Sequence, residues 1–320
     1  MSYTIYGGTL SLFTRKLEAA MIFYGAEHVR ADKHAANAAL LETRSGTHQV
    51  PVLHTPENWM IADTTPLLWL LDARFPGREM FPSGELGALV HVIEEHLDEW
   101  IARVMVHWRW HYRESAEFAA QIISGGDPRA AARIVDWGPR ACRATGTESP
   151  LQQQAAEDEY VRLLDMAETQ LKDTAFLLGD RPTAVDCMFL GGLRAHTYRD
   201  PVPKRVVADF PTVVEWAERR ADTWDGGGEL ARFPQSTAFA RHVLKEMADT
   251  YGTFVLGNRD ALQAGAKAFH VESYGEDVSY LTRPYPEQSR RMVGARLRDL
   301  PSTALDTWLA EYRLEPIFTV

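Results

Sequence analysis

Cysteine is scarce in this chain of 320 residues, which contains only Cys142 and Cys187. The two thiols stand far apart and do not form the closely spaced pairs of metal-binding or redox-active motifs. A single disulfide between them is one interpretation, but so little cysteine is more typical of a protein in a reducing compartment. We therefore expect a cytoplasmic protein without a cysteine-based metal or redox site.

Long apolar runs and an excess of positive charge are missing as well. No stretch reaches the ~18 apolar residues that a membrane-spanning helix needs. The first residues lack the basic segment and the apolar run of a secretory signal. The net charge is −10, which disfavours nucleic acids and anionic membranes as main partners. These absences predict a soluble protein with no nucleic-acid and no membrane partner.

Short β-rich runs alternate with helical patterns over roughly the first 80 residues. Ser11 occupies an N-cap position before a helix with apolar residues at helical spacing, and Gly25 ends that helix. Asp63 and a proline three residues later make a strong start for another helix. The predicted order is β-α-β-α-β-β-α, with strands at residues 3–7, 28–32, 50–53 and 59–62.

Beyond Pro82 the apolar spacing becomes helical. A glycine-rich stretch at residues 225–228 precedes a last segment, in which a turn at residues 274–277 predicts a hairpin. We expect residues 280–285 to form part of that hairpin or an extended arm against the helical region. The interpretation is one domain at 1–82 and a second at 83–320, with an extension from about 226. The predicted helices of the second domain span residues 86–113, 151–172, 183–196 and 212–220.

Four motifs occur in a characteristic order and spacing: SLFTRK at 11–16, QVPVL at 49–53, IADTTPLL at 61–68 and GDRPTAVD at 179–186. Over roughly residues 3–220 the chain resembles the glutathione transferase superfamily. The resemblance implies an α/β thioredoxin-like N-terminal domain plus an all-α C-terminal domain. It also implies glutathione as co-substrate and no metal. Relatives commonly form two-fold dimers, so we expect a homodimer by analogy.

The resemblance assigns two loops to the peptide part of glutathione. A cis Val50–Pro51 bond is expected to turn the backbone of Val50 toward the cysteinyl backbone of the ligand. Thr64 would bind the γ-glutamyl carboxylate, because the amides at a helix N-terminus favour an anion. Asp63 would bind the γ-glutamyl amine.

The glycyl carboxylate of glutathione has several candidate partners. His48 and Gln49 directly precede the predicted cis proline, and Lys33 or Arg15 could also supply a cation. The resemblance favours Gln49. A charged residue in the first turn of a helix, such as Arg15, more often faces solvent.

The glutathione thiol must lose its proton, because the thiolate is the nucleophile and a free thiol has a pKa of about 8.5. A hydroxyl at a helix N-terminus lowers that pKa. Ser11 is the first candidate for this catalytic role and Thr14 the second, while Tyr6 and Thr9 also lie close in sequence. Ser11 could instead serve only as a helix cap. Serine in place of cysteine disfavours a thioredoxin-like or glutaredoxin-like role.

A pocket for the second substrate is assigned to Phe13 and to the long helix of the second domain, which carries Trp108, His111 and Tyr112. The alternative is that these large side chains fill the helical core. His107 and His111 have the i, i+4 spacing of metal ligands. Without a third convincing ligand, no metal site is expected.

Three functions are compatible with this sequence. The first is a glutathione transferase that attacks a small electrophile, apolar or aromatic, in detoxification. The second is a glutathione-dependent lyase, dehalogenase or peroxidase that uses the same thiolate. The third is a non-catalytic module of the same fold that binds glutathione or another protein.

Overall fold

The computed structural model describes residues 2–218 and 224–319, and its first part has the predicted order of strands and helices. Ser11 caps the first helix, and Gly25 ends it in a left-handed conformation with φ 67°. Both boundary predictions are confirmed. The elements are β1 (Tyr3–Tyr6), α1 (Leu12–Tyr24), β2 (His28–Ala31), α2 (Ala35–Ser45), β3 (Val52–His54), β4 (Met60–Ile61) and α3 (Thr64–Arg74).

These strands form a mixed sheet in the order β2-β1-β3-β4. Strand β1 is parallel to β2 and antiparallel to β3, with Ile5 opposite Arg30 on one side and Leu53 on the other. Ile5 and Leu53 are fully buried, because alternate residues of a strand face the same side of the sheet. The sheet therefore packs on the apolar face of α1, where Leu17 and Met21 are also fully buried.

The second part is built of helices packed around one long helical segment, residues 84–110, which we call the rod. That rod was predicted as a single helix over residues 86–113, but it contains a π-helical turn at His96–Ile101 and ends at Trp110. Tyr112 has an extended backbone and begins a separate helix. The helices are α4 (Gly84–Glu95), α5 (Ala102–Trp110), α6 (Arg113–Ile123), α7 (Pro128–Ala144), α8 (Pro150–Asp173), α9 (Ala184–Gly192), α10 (Pro201–Val207) and α11 (Pro211–Glu218).

The other predictions for this region are close to the observed boundaries. Helix α8 matches the expected 151–172, and α9 begins at the predicted capping box, in which Thr183 and Asp186 exchange hydrogen bonds. Helix α11 matches the helix expected at 212–220, whose last two residues lie outside the described ones. In the part of the chain that the structure describes, no helix has both the length and the apolar composition to cross a bilayer.

The extension after residue 226 contains the predicted hairpin. Strands β5 and β6 pair in antiparallel fashion around Tyr274 and Gly275, whose φ values of 51° and 79° suit a two-residue turn. The hairpin or extended arm expected at 280–285 is wrong in its last two residues, because Pro284 begins a helix. The elements are α12 (Ala238–Met247), α13 (Thr253–Gln263), β5 (Ala268–Ser273), β6 (Glu276–Leu281), α14 (Pro284–Arg298), α15 (Thr303–Glu311) and α16 (Glu315–Phe318).

This extension is part of the main core. Phe239 and Tyr251 are fully buried in the same cluster of side chains as the rest of the chain. The Tyr251 hydroxyl donates to Oε1 of buried Glu95 at 2.7 Å, and Ser289 donates to the other oxygen of that carboxylate. A π-helical turn between α12 and α13 and helix α14 therefore each supply a donor to a buried acid of α4.

One buried histidine offers a test of the packing between α3 and α4. His91 is fully buried, and neither ring nitrogen has a hydrogen-bond partner. Its ring lies between Trp69 and Phe81, at centroid distances of 5.0 and 5.4 Å. Burial holds the pKa of His91 well below its usual value, and the cations of Arg296 and Lys16 add to the effect.

We expect His91→Phe to raise the free energy of unfolding by about 1–3 kcal/mol, because it removes an unsatisfied buried polar group. In the wild type, the unfolded state binds a proton at His91 below about pH 6.5 and the folded state does not. The stability that His91→Phe gains over the wild type should therefore grow by about 1.4 kcal/mol for each pH unit below about 6.5. Urea unfolding at pH 8 and pH 5.5 measures it, with exposed His270→Phe as control. A gain that is absent or independent of pH would contradict this reading.

Candidate functional site

A cleft of about 440 Å³ lies where the N-terminal domain, the long rod and the extension meet. The N-terminal domain contributes Phe13 and the loops before β3 and α3. The rod contributes Asp98, Glu99, Trp100, Ala102, Arg103 and Val106, and the extension contributes Phe254, Tyr280, Arg283, Tyr285, Gln288, Ser289 and Met292. Each part of the chain thus supplies one wall.

Most residues predicted to hold glutathione lie together on one wall of this cavity. Gln49, Val50, Pro51, Asp63 and Thr64 all line it. The Val50–Pro51 bond is cis, as predicted. Pairing of β3 with β4 brings the two loops together, since the first loop leads into β3 and the second follows β4.

The other candidates for the glycyl carboxylate are not at this wall. His48 is exposed and absent from the cavity lining, and its carbonyl accepts a hydrogen bond from Lys33 Nζ at 2.6 Å. Lys33 is also paired with Glu42 at 2.7 Å. Arg15 pairs with Glu18 and borders a different cavity. Gln49 is therefore the predicted partner of the glycyl group that the structure brings to the cleft.

Asp63 has an unusual backbone for a non-glycine residue. Its φ of 70° lies in the left-handed region, and its side chain makes no capping bond to α3. Such a conformation costs about 1–3 kcal/mol and is concentrated at functional sites. Burial raises the pKa of Asp63, Lys16 lowers it, and Asp98 raises it. A ligand ammonium between the carboxylates of Asp63 and Asp98 would relieve this repulsion.

A buried ion cluster forms the floor beneath Asp63. Lys16 and Glu94 are fully buried, and the Lys16 ammonium donates to Glu94, to Asp98 at 2.9 Å and to Thr65 at 3.1 Å. Burial acts to lower the pKa of Lys16, but the carboxylates of Asp98 and Glu94 raise it above its usual value. Burial raises the pKa of Glu94 to about 7, while Lys16 acts to lower it. The cluster therefore ties α1 to the rod directly under the cleft.

The two candidate hydroxyls have different environments. Ser11 Oγ accepts from the Thr14 amide at 3.3 Å, and its own proton is donated to no described residue. Ser11 is half-buried and is not itself among the lining residues, whereas Phe13 is. The Thr14 side chain is fully buried, and a Cβ on Gly7 would lie 2.2 Å from its Oγ1. Thr14 thus packs under Gly7 and does not face the cavity.

The aromatic residues predicted for the second-substrate pocket lie elsewhere. Trp108 stacks on Tyr112 at 5.3 Å, and the Tyr112 hydroxyl donates to Glu157 at 2.6 Å. His111 stacks on His107 at 4.9 Å. Of the predicted set only Phe13 lines the cleft. Within residues 2–218 and 224–319, no group of three or more His, Cys, Asp or Glu is arranged to hold a metal ion.

Several side chains of the cleft and of its floor were not predicted from the sequence. Trp100, Phe254 and Tyr280 form a contiguous aromatic wall, with ring centroids 5.2–6.4 Å apart. Two of them belong to the extension, which the family resemblance does not cover. The sequence held two signals for the ion cluster. A lysine lies on the buried face of α1, and Glu94 and Asp98 stand four residues apart in an apolar helical segment.

The comparisons with known proteins agree with this architecture. The family model described as glutathione S-transferase, C-terminal domain, matches residues 138–222. A glutathione S-transferase from Rhodospirillum rubrum F11 is 16% identical, with 75% of this chain and 99% of that chain covered and a TM-score of 0.47. Gtt2 from Saccharomyces cerevisiae is 13% identical, with coverage of 70% and 97% and a TM-score of 0.47. GSTFuA3 from Phanerochaete chrysosporium is 15% identical, with coverage of 70% and 98% and a TM-score of 0.48.

The chain has a two-domain fold with an α/β thioredoxin-like first domain and a mainly helical second domain, part of which matches the C-terminal domain of glutathione S-transferases. The sheet order β2-β1-β3-β4, the cis proline before β3 and the helical second part carry this conclusion, together with the matched C-terminal domain. At identities of 13–16% and TM-scores below 0.5, these solved structures assign no substrate and no reaction to this chain. The substrate and the reaction must be argued from the cleft.

Proposed function

We propose that this protein binds glutathione in the cleft and activates its thiol for attack on a small electrophile. The observation that carries this proposal is the convergence of Gln49, Val50, Pro51, Asp63 and Thr64 on one wall of one cavity, next to the start of α1. These groups complement a tripeptide that has one amine, two carboxylates and an extended backbone.

In this proposal the γ-glutamyl amine lies at Asp63 and the γ-glutamyl carboxylate at Thr64, where the first amides of α3 are free to donate. The backbone of Val50 beside Pro51 pairs with the cysteinyl residue. Gln49 holds the glycyl carboxylate. This order directs the cysteinyl sulfur toward the start of α1.

Ser11 is the proposed activating group. Its oxygen caps α1 and its proton is free, so capping and donation to a sulfur are compatible. A hydrogen bond to a charged group contributes about 1.5–3 kcal/mol, which corresponds to roughly one to two pKa units. That shift makes the thiolate abundant near neutral pH. Tyr6 and Thr9 are the alternative donors.

The proposed second substrate is a small apolar or aromatic electrophile. Phe13 and Val106 are partly exposed apolar side chains that line the cavity on the side of α1 and α5, and Met292 faces it from the extension. Such a transferase would act in detoxification as a cytoplasmic homodimer. The dimer rests on analogy with relatives, and the location rests on the scarcity of cysteine.

A second candidate is a glutathione-binding module without catalysis. It is favoured by one observation: Ser11 caps α1 but does not line the cavity. In that case the peptide-binding wall would bind glutathione with no change in the pKa of its thiol.

Ser11→Ala separates the two candidates. We expect turnover with an activated aryl halide to fall about 10- to 100-fold, with little change in glutathione affinity, and activity to begin at higher pH. Asp63→Ala should weaken glutathione binding more than it lowers turnover. Thr14→Val, which keeps the shape of a buried side chain, is the control. Unchanged turnover and an unchanged pH profile in Ser11→Ala would leave Ser11 as a cap only.

A further inference from the structure

Arg283, the residue that precedes α14, has an unused guanidinium in the cleft. Its side chain is 38% exposed, and the nearest carboxylate oxygen, on Glu99, is 3.7 Å away, too far for a hydrogen bond. Its Nε is buried and has no partner. A guanidinium carries five N–H donors, and none of them makes a hydrogen bond to a described residue. Such a group is ready to bind an anion.

The backbone of Arg283 is fixed rather than free. Its amide donates to Oδ1 of Asn258 at 2.9 Å, and its carbonyl accepts from Nδ2 of the same side chain at 2.9 Å. Asn258 is fully buried. The guanidinium also lies over the ring of Phe254, 5.8 Å from its centroid. Positioning of this kind reduces the entropy lost when a ligand binds.

The charges around Arg283 define the chemistry of the anion. Asp63, Asp98 and Glu99 line the same cavity. Asp98 already has a buried partner in Lys16, whereas Asp63 and Glu99 have no hydrogen-bonded cation. Burial raises the pKa of Glu99 to about 7, Arg283 lowers it, and Asp63 is close enough to raise it further. One cation beside two carboxylates that have no hydrogen-bonded cation complements a ligand group that carries both an amine and a carboxylate.

We propose that Arg283 binds the α-carboxylate of the γ-glutamyl group of glutathione, whose amine faces Asp63 and Glu99. This assignment rests on the proposed glutathione-binding function and adds to it a residue from the extension. The glycyl carboxylate is the less suitable partner, because Gln49 lies in the loop before β3, whereas Arg283 faces the Glu99 and Asp63 side of the cavity. Arginine binds a carboxylate with two parallel hydrogen bonds, and Glu99 is its charge partner in the free protein.

Titration calorimetry with two peptides tests the assignment. The first is glutathione. The second is 4-aminobutanoyl-Cys-Gly, which keeps the amine of the γ-glutamyl group but lacks its α-carboxylate. We expect Arg283→Ala to weaken glutathione binding about 10- to 100-fold and binding of the second peptide by less than about threefold. Arg298→Ala, at the exposed end of the same helix, is the control and should change neither.

The outcomes are distinguishable. An equal loss for both peptides, or no loss for either, overturns the role of Arg283 and leaves the proposed function intact. An unchanged glutathione affinity with a higher KM for an acceptor that carries a carboxylate would place the anion on the acceptor and also overturn the assignment. Arg283→Lys keeps the positive charge and should recover part of the affinity for glutathione. Such a recovery shows that the loss in Arg283→Ala does not come from misfolding. Failure of the wild type to bind glutathione overturns the proposed function as well.

Discussion

Lys16→Met is expected to lower the free energy of unfolding by about 3–5 kcal/mol, because it leaves two buried carboxylates without their cation. Glu94 is fully buried, and its closest cation is Lys16. Asp98 is almost as buried and has the same partner. Urea unfolding at pH 8 measures the loss. The control is Arg113→Met, which breaks an exposed ion pair with Glu117 and should cost less than about 1 kcal/mol.

The loss in Lys16→Met should depend on pH in a defined direction. Burial already raises the pKa of Glu94 to about 7 in the wild type, and removal of Lys16 raises it further. The folded variant then binds a proton that the unfolded chain, with a usual glutamate pKa near 4.3, does not bind. Its deficit must shrink as the pH falls from 8 toward 5. Lys16→Met/Glu94→Gln should recover part of the stability. A loss below about 1 kcal/mol, or one unaffected by pH, would show that the cluster is not a coupled unit.

Deletion of residues 229–320 is expected to abolish a stable fold. It removes Phe239 and Tyr251 from the common core. It also removes both hydrogen-bond donors of Glu95, so that a buried acid of α4 becomes unsatisfied. Loss of several buried aromatic and aliphatic side chains, at about 2–5 kcal/mol each, exceeds the total stability of an ordinary domain.

Circular dichroism and gel filtration of the truncated chain test this expectation. Tyr251→Phe is the milder variant, because it removes only one of the two donors to Glu95 and should cost about 1–3 kcal/mol. A truncated monomer that unfolds cooperatively at the wild-type midpoint would mean that the extension is an independent unit.

The N-terminal fold and the hairpin of the extension were predictable because their signals are local. Ser11 and Gly25 mark the ends of α1, and the two-residue turn at Tyr274 and Gly275 marks the hairpin. Each depends on the conformation of a few neighbouring residues. The cis proline and the loop at Asp63 were predicted from a family pattern rather than from local chemistry.

The remaining features depend on tertiary packing. Whether Thr14 faces the cleft is decided by Gly7, which leaves room for the hydroxyl under the strand. Trp108 turns away because the π-helical turn interrupts the regular spacing of the rod and Tyr112 offers a stacking partner. Arg283 reaches the cleft only because a hairpin far along the chain folds back on the rod. The position of Arg283 beside the rod is the clearest case, because no short window of sequence contains both.

The proposed function depends most on an activated thiol in the cleft, and the thiol pKa of bound glutathione tests it directly. The thiolate absorbs ultraviolet light more strongly than the thiol, so a difference titration of the complex reports its ionisation. We predict that the thiol of bound glutathione has a pKa of about 6.5–7.5, against about 8.5 for a free thiol. In Ser11→Ala its pKa should lie closer to that of the free thiol. Glutathione that binds to the wild type with an unshifted thiol pKa would contradict a catalytic role and favour a binding module.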